Sequence, residues 1–151
     1  MIHVAGIDEL DSRTLYRILR LRSQVFVVEQ DCAYLDADGR DLEPGAVLVW
    51  ADPAPHGPTV AATLRLLTDP DGSRRIGRVV TAPSHRHLGL ARALVEHALT
   101  LVPTGDHVVL DAQVHLEQWY ERLGFERSGP EFVEDGIVHV PMRRRGPGSR
   151  R

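Results

Sequence analysis

The chain has 151 residues, of which 42% are hydrophobic and 26% charged, and its formal net charge at pH 7 is -3. This length fits one domain with its own core, and the slightly acidic balance does not favour nucleic acid or a membrane surface as a partner. The single cysteine, Cys32, excludes an internal disulfide and agrees with a reducing cytoplasm. Because the chain also lacks a secretion-signal pattern and an apolar run of about 18 residues, we expect a cytoplasmic protein.

The first half of the chain predicts a strand, a helix and three further strands. Asp8 and Asp11 are helix-capping residue types, and apolar residues recur at helical spacing from there to Gln30. Residues 31–45 are acidic and rich in turn-forming residues, which predicts a loop. Short apolar or alternating runs predict the four strands, at Ile2–Ala5, Val47–Ala51, Val60–Leu67 and Arg75–Thr81.

The second half of the chain alternates helices with strands. A helix begins after Gly89 and ends near Pro103, and a shorter helix over Leu116–Leu123 stops at Gly124. Asp135-Gly136 between two short strands predicts a hairpin with a type I′ turn. The predicted strands of this half are Val108–Gln113, Phe132–Glu134 and Ile137–Met142. This order predicts a mixed α/β sheet of about six to seven strands, flanked by helices on both faces.

The C-terminal residues differ in composition from the rest of the chain. We expect a single domain over residues 1–144 and a separate tail over 145–151. The tail is basic and contains glycine and proline but no apolar residue, which predicts a solvated, disordered segment. A contact between this tail and nucleic acid or an acidic partner is the alternative.

A glycine-containing stretch, Arg86–Ala91, lies between a predicted strand and a predicted helix. The first turn of a helix carries unpaired N–H groups and the positive end of the helix dipole, so it binds phosphate. Gly89 lets the backbone approach the phosphate, and Arg86 adds a charged donor. The P-loop pattern and the three-glycine dinucleotide fingerprint are both missing from the sequence. The stretch therefore predicts a phosphate cradle, with a glycine that merely fits the turn as the alternative.

Two motifs in this order resemble those of the GNAT (GCN5-related) N-acetyltransferases. The first is R-x-x-G-x-A at Arg86–Ala91, after "RVV", which resembles the acetyl-coenzyme A signature of that family. The second is "DAQVHLEQWYERLGF" at Asp111–Phe125, which resembles the later strand and helix of the family. The stretches "RSQVFVVEQDCAYLDADGRDL", "IGRVV" and "EDGIVHVPM" further resemble the ElaA-type branch. The resemblance covers residues 2–144.

The resemblance implies a strongly twisted sheet, splayed between its fourth and fifth strands, that holds coenzyme A in the opening. It implies that the backbone of Val79, Val80 and Thr81 pairs with the pantetheine arm like an added strand, and that an N–H group there polarises the thioester carbonyl. Arg86 then supplies charge to the pyrophosphate, and Gly89 supplies close approach. The other residues implied in binding the donor are His87, Leu88, Leu90, Ala91, Arg92 and Gln113. For Arg92 a solvated helix face is the alternative, and Gln113 stands where many family members have asparagine.

Two residues are expected to carry the chemistry of acyl transfer. Tyr120 matches the tyrosine that protonates the leaving thiolate in many family members, with a packed, hydrogen-bonded tyrosine as the alternative. The amine must also be neutral to attack, and Glu29, at the end of the first helix, is the predicted base, with a solvated carboxylate as the alternative. His115, before the Tyr120 helix, and His139, on the last hairpin, are weaker candidates for this proton transfer.

Neither Cys32 nor the acidic loop predicts a further catalytic group. Cys32 has no basic neighbour that would activate its thiol, so direct transfer is favoured over an acyl-enzyme. The five carboxylates between Asp31 and Glu43 lack the ligand pattern of a calcium loop, so no metal is expected. This loop either attracts a cationic amine or is merely solvated.

The sequence thus predicts an acyltransferase that moves an acetyl group from acetyl-coenzyme A to a primary amine of a small molecule or protein, by direct attack in a ternary complex. The expected partners are acetyl-coenzyme A and an unidentified amine, and an exposed edge strand leaves a homodimer open. One alternative is a non-catalytic coenzyme A-sensing or partner-binding module. Another is an enzyme like the acyl-homoserine-lactone synthases, which share an early R-x-x-x-F, as in Arg22–Phe26.

Overall fold

The structure, a computed structural model, describes residues 1–53 and 59–145. Within these ranges, the helices are α1 (Ser12–Arg22), α2 (Leu90–Thr100) and α3 (Glu117–Glu121). The strands are β1 (Ile2–Ala5), β2 (Val47–Ala51), β3 (Ala62–Thr68), β4 (Arg74–Thr81), β5 (Val108–Gln113), β6 (Glu126–Arg127), β7 (Phe132–Glu134) and β8 (Ile137–Arg144). The predicted tail lies outside the described residues, apart from Arg145.

Helix α1 begins where the sequence predicts it and changes its winding partway. The Asp11 carboxylate accepts a hydrogen bond of 2.7 Å from the Thr14 N–H group, which caps the helix. After Arg22 the chain continues as a π-helical stretch, Ser23–Glu29. A π-helix has more residues per turn than an α-helix, so the side chains of this stretch do not continue the stripe of α1. None of the helices over the described ranges has the length and apolarity needed to cross a bilayer.

The strands form one mixed sheet in the order β1-β2-β3-β4-β5-β8-β6, and β7 also pairs with β8. The β4–β5 pair is parallel, and the other pairs are antiparallel. The predicted mixed sheet is confirmed, but it has eight strands among the described residues rather than six to seven. The additional strand, β6, has two residues, which is too short for an alternating pattern to appear in the sequence.

The sheet opens between β4 and β5, as the resemblance implies. These strands pair only at Arg74↔Val108 and Arg75↔Val109, at their N-terminal ends. Beyond those pairs β4 continues to Thr81 and β5 to Gln113 without further pairing to each other. Because these parallel strands pair only at their N-terminal ends, they separate toward their C-terminal ends. We call the gap between residues 76–81 and 110–113 the cleft.

Apolar side chains cover both faces of the sheet, and each cluster belongs to different helices. On one face, Ile18 and Leu21 of α1 pack with side chains of β2 and β4, among them Trp50 and Val80. On the other, α2 and α3 pack on the alternate positions of the strands. The members of this second cluster include Leu94, Val95, Tyr120, Leu64, Ile76, Leu110 and Val140. The prediction of helices on both faces is confirmed, and we call these the α1 face and the α2 face.

The last hairpin has the turn that its sequence predicts. Asp135 and Gly136 both have positive φ, at 52° and 77°, as a type I′ turn requires. Strand β8 then pairs with the whole length of β5, from Gln113↔His139 to Val108↔Arg144. The hairpin therefore lies beside β5, next to the cleft.

Candidate functional site

The loop before α2 has the backbone of an anion cradle. Gly89 is the N-cap of α2 with φ 76°, a left-handed conformation that favours glycine, and the helix has no side-chain cap. The first helical bond at this end runs from the Ala93 N–H group to the Gly89 carbonyl, at 3.1 Å. The N–H groups of residues 90–92 therefore lie ahead of the helical ladder. A Cβ built on Gly89 meets no described atom within 4 Å, so the space in front of the loop is open.

Strand β4 carries a bulge where it borders the cleft. Arg78 and Val79 together oppose Leu64, since Thr63 pairs with Val80 while Arg65 pairs with Gly77. Arg78 has φ 53°, a conformation that costs energy in a residue with a side chain. Beyond the bulge, Val80 is buried on the α1 face, whereas Val79 packs against the α2 face. The edge of this segment that faces β5 has no strand partner in the described part of the chain.

The structure joins the predicted base to the predicted phosphate-binding arginine. Nη2 of Arg86 lies 2.6 Å and 3.0 Å from the two carboxylate oxygens of Glu29. The Arg86 Nε–H group also donates to the carbonyl of Thr81, at 3.4 Å. Both side chains are about 40% exposed (37% and 41%). In the structure both oxygens of Glu29 are therefore bound by Arg86, although the side chain is partly exposed.

Tyr120 lies in the α2-face cluster, which also contains Ala112 of β5 and contacts Val79 of β4. Its ring makes edge contacts with Trp119 and Phe125, at centroid distances of 4.8 and 5.9 Å. Burial raises the pKa of Tyr120 above its ordinary value, so the hydroxyl stays protonated over the neutral range. The tyrosine is packed, but its hydroxyl forms no hydrogen bond within residues 1–53 and 59–145.

The segment that follows α1 crosses the mouth of the cleft. Gln30, which follows Glu29, accepts a hydrogen bond of 3.3 Å through its Oε1 from the Gln113 side chain at the end of β5. The Cys32 thiol contacts the carbonyl of Asp135 in the β7–β8 turn, at 3.1 Å. This segment, residues 29–32, therefore touches the loop after β4, the end of β5 and the hairpin. The Cys32 thiol therefore connects the segment after α1 to the β7–β8 turn.

The remaining predicted residues surround this arrangement. His87 is exposed and has φ 67°, and Leu88 is 67% exposed. Leu90 and Ala91 are partly buried at the start of α2. The Arg92 Nε–H group donates to Glu96 along the helix surface, at 2.8 Å. His115 is exposed, whereas His139 lies directly opposite Gln113 and stacks on Phe132.

The acidic loop is neutralised by arginines, so both predictions for it are wrong where its carboxylates are buried. Asp36 and Asp41 are 6% and 8% exposed. Arg22 of α1 bonds both of them at 2.8 Å, Arg65 of β3 bonds Asp38 and Asp41 at 2.8 and 3.3 Å, and Arg78 lies 2.9 Å from Asp36. We call these residues the charged cluster: Arg22, Asp36, Asp38, Asp41, Arg65 and Arg78.

The sequence holds one signal of the charged cluster. Arg65 is the one charged residue in β3, a strand otherwise made of apolar residues and two threonines, and a buried cation there needs a partner. Hydrogen bonds from Arg65 hold the pKa of Asp38 well below its usual range. Burial alone would raise the pKa of Asp41, but the Arg22 guanidinium outweighs burial and lowers it. Asp36, Asp38 and Asp41 are therefore paired with arginines of the same chain rather than open to a cationic ligand.

A separate cavity of about 340 Å³ lies between α1 and the turn Pro83–His85. Its lining includes the basic side chains of Arg17, Arg20 and His85. The carboxylates of the described part of the chain form no ion pair with Arg17 or Arg20. Neither Tyr120 nor any residue of β5 lines this cavity, so it is not the opening between β4 and β5.

Comparison with known proteins gives a consistent set of relatives. The family model described as "Acetyltransferase (GNAT) domain" matches residues 58–145. A UPF0039 protein of Mycobacterium tuberculosis is 44% identical over 144 residues, covering 93% of this chain and 90% of that protein. Protein ElaA of Escherichia coli is 35% identical over 146 residues, covering 91% of each chain.

Two solved structures have the same fold over almost the whole chain. An acyl-CoA N-acyltransferase from Pseudomonas aeruginosa superposes with a TM-score of 0.88 at 36% identity, covering 95% of this chain and 99% of that one. The crystal structure of Escherichia coli ElaA superposes with a TM-score of 0.86 at 32% identity, covering 95% and 98%.

Proposed function

The chain belongs to the GNAT acetyltransferase family, and from this premise we propose that it transfers an acetyl group from acetyl-coenzyme A to a primary amine. The acceptor is a small molecule or a protein amine, and transfer occurs by direct attack within a ternary complex. The acyl-CoA N-acyltransferase with the same fold supports the donor and the type of acceptor. The single observation that carries the proposal is the opening of the sheet between β4 and β5, with an unpaired edge of β4, the uncapped start of α2 after β4, and the unbonded Tyr120 hydroxyl in the adjacent α2-face cluster.

The proposed donor site begins at the N-terminus of α2. The N–H groups of residues 90–92 and the positive end of the helix dipole bind the diphosphate of the donor. Gly89, at φ 76°, holds the loop in the conformation that aims these groups outward. Arg86 lies in the same loop, and its Nη1 group, which no described residue binds, adds charge to the diphosphate while Nη2 stays on Glu29.

The strand edge and Tyr120 then act on the thioester. The edge of β4 beyond Arg75 has N–H groups without a strand partner, so it pairs with the pantetheine amides as an added strand. An N–H group of Val80 or Thr81 binds the oxyanion that develops on the thioester carbonyl. Tyr120 keeps its proton because burial raises its pKa, and its hydroxyl is free to protonate the departing thiolate.

Thiol release from acetyl-coenzyme A tests this proposal. We propose a panel of 2-phenylethylamine, spermidine and Nα-acetyl-lysine amide, with coenzyme A affinity measured by calorimetry on the same preparation. Amine-dependent thiol release, with the acetylated amine identified by mass spectrometry, is the expected result. Tight coenzyme A binding without turnover of any amine contradicts the proposal and favours a coenzyme A-sensing module.

A further inference from the structure

A row of side chains on the last hairpin forms the acceptor side of the reaction. We infer that His139, on β8, takes the proton from the acceptor amine, and that the amine binds against Phe132, His139 and Gln113. This inference rests on the proposed function and adds the acceptor site to it.

The row is fixed by the register of three neighbouring strands. Phe132 of β7 pairs with His139 of β8, and His139 pairs with Gln113 of β5. Directly paired residues on adjacent strands project from the same face of a sheet. Gln113 contacts Gln30, which follows α1, whereas the alternate position, Val140, is buried in the α2-face cluster. The row therefore lies on the α1 face, at the end of β5 that borders the cleft.

The imidazole of His139 is held with one nitrogen free. Its Nδ1 lies 2.8 Å from the carbonyl oxygen of Ile137, and a carbonyl only accepts hydrogen bonds, so Nδ1 carries the proton. In the neutral ring the lone pair is then on Nε2. Over the described residues Nε2 has no hydrogen-bond or ion-pair partner. Phe132 stacks on the ring at a centroid distance of 5.7 Å and an interplanar angle of 19°, which fixes its plane.

Glu29, the base expected from the sequence, lacks this freedom. Both of its carboxylate oxygens are bound by Nη2 of Arg86, at 2.6 and 3.0 Å. For Glu29 to take a proton, one of these charge-assisted bonds would have to break. His139 offers an unbonded basic nitrogen without opening any ion pair.

Each face of the sheet then supplies one of the two proton-transfer residues. Tyr120 belongs to the α2 face, and His139 belongs to the α1 face. These faces communicate through the cleft, since β4 and β5 are unpaired beyond Arg75 and Val109. The thioester reaches the cleft from the side of α2, and the amine reaches it from the side of α1. This arrangement allows direct attack with both substrates bound.

The proton transfers balance within this arrangement. The neutral amine attacks the thioester carbon, forming the C–N bond and an oxyanion, and the C–S bond breaks as the carbonyl re-forms. The nitrogen gives one proton to Nε2 of His139, and the sulfur takes one proton from the Tyr120 hydroxyl. The imidazolium then returns its proton to the Tyr120 phenolate through solvent. The net change is one proton moved from nitrogen to sulfur, with no further reactant.

Two substitutions at position 139 test the assignment against a control on α2. His139→Ala removes the base and opens space for an added one, and His139→Gln keeps a hydrogen-bond donor for the Ile137 carbonyl but has no basic nitrogen. His97→Gln, on the surface of α2 away from the hairpin, is the matched control. Turnover is measured with an amine that the wild type acetylates, with and without added imidazole, and coenzyme A affinity by calorimetry.

We expect both variants at position 139 to lose about 100-fold or more in kcat, the scale of general base catalysis, with coenzyme A affinity within twofold of wild type. Added imidazole is expected to raise the turnover of His139→Ala at least tenfold and to leave His97→Gln and wild type unchanged. Turnover of His139→Gln within threefold of wild type, or a His139→Ala variant that binds coenzyme A but is not rescued, overturns the assignment alone. Absence of wild-type turnover across the amine panel overturns the proposed function and this assignment together.

Discussion

The charged cluster and the cleft lie on neighbouring parts of the same sheet, but they differ in whether their polar groups have bonding partners. In the charged cluster, Arg22 is 1% exposed and its guanidinium bonds two carboxylates and a backbone carbonyl. By contrast, the β4 edge at the cleft, the N–H groups ahead of α2 and the Tyr120 hydroxyl have no such partners among the described residues. The carboxylates of the charged cluster are all paired with arginines, whereas the cleft keeps polar groups available.

This difference separates residues that hold the fold from residues that act on a ligand. Buried ion pairs are costly unless every member is bonded, so the charged cluster is a fixed unit. It includes Arg78, whose positive φ forms the bulge that borders the cleft. The charged cluster therefore holds β4 in place, and the unpaired edge of β4 is proposed to bind the donor. Charge alone does not mark the site, because the densest charges are the least accessible ones.

The largest effect is expected from a substitution in the charged cluster. Arg22→Met leaves Asp36 and Asp41 buried without their shared partner, so we expect the free energy of unfolding to fall by about 3–5 kcal/mol. Urea denaturation followed by circular dichroism measures this loss. Arg20→Met, at an exposed position of the same helix, is the control and should change stability by less than about 0.5 kcal/mol. A loss below about 1 kcal/mol for Arg22→Met would show that the cluster is not a cooperative unit.

The next effect concerns chemistry rather than stability. Tyr120→Phe removes the proposed proton donor but keeps the ring contacts with Trp119 and Phe125. We expect kcat to fall about 100-fold, with coenzyme A affinity unchanged and the free energy of unfolding within about 1 kcal/mol of wild type. Stopped-flow thiol release and urea denaturation separate the two readouts. An undiminished kcat would remove Tyr120 from the mechanism.

A smaller effect is expected at the anion cradle. Gly89→Glu places a carboxylate in the open space before α2, so we expect coenzyme A affinity to weaken more than tenfold in calorimetric titrations. The control is Gly89→Ala, which imposes the same cost of about 1–2 kcal/mol for φ 76° but adds no charge. If alanine and glutamate weaken binding equally, backbone strain rather than phosphate repulsion is responsible.

The smallest expected effect is the acid sensitivity of the charged cluster. The folded-state pKa of Asp38 is lowered by its hydrogen bonds with Arg65, so its stabilisation is present above the unfolded pKa of about 3.9 and is lost as pH falls toward the folded value. Asp38→Asn should cost about 1 kcal/mol at pH 7 and flatten the fall in stability below about pH 4. Urea titrations from pH 7 to pH 3 measure both. Parallel curves for wild type and variant would contradict the linkage.

Local signals in the sequence predicted most of the fold. Asp135-Gly136 predicted its turn, and Asp11 predicted the start of α1, because turns and caps depend on residues close in the chain. The two-residue strand β6 left no pattern to read. The splay between β4 and β5 came from the family resemblance and was confirmed by the register of the two strands.

The candidate site was harder to predict because its contacts are non-local. Glu29 and Arg86 are 57 positions apart, and Arg78 and Asp38 are 40 apart. Side-chain periodicity within one element cannot show that two such residues meet. The sequence therefore gave residue types suited to acyl transfer but could not show that one of them, Glu29, is bound by another. Nor could it show that His139 lies beside Gln113, which depends on the pairing of β5 with β8.

A crystal structure of the protein with coenzyme A would show directly whether the cleft binds the donor. We expect the diphosphate on the N–H groups of residues 90–92 and the pantetheine arm along the free edge of β4. We also expect the sulfur in the cleft, within about 3.5 Å of the Tyr120 hydroxyl. A diphosphate bound away from Gly89, or a sulfur on the α1 face out of reach of Tyr120, would contradict this expectation.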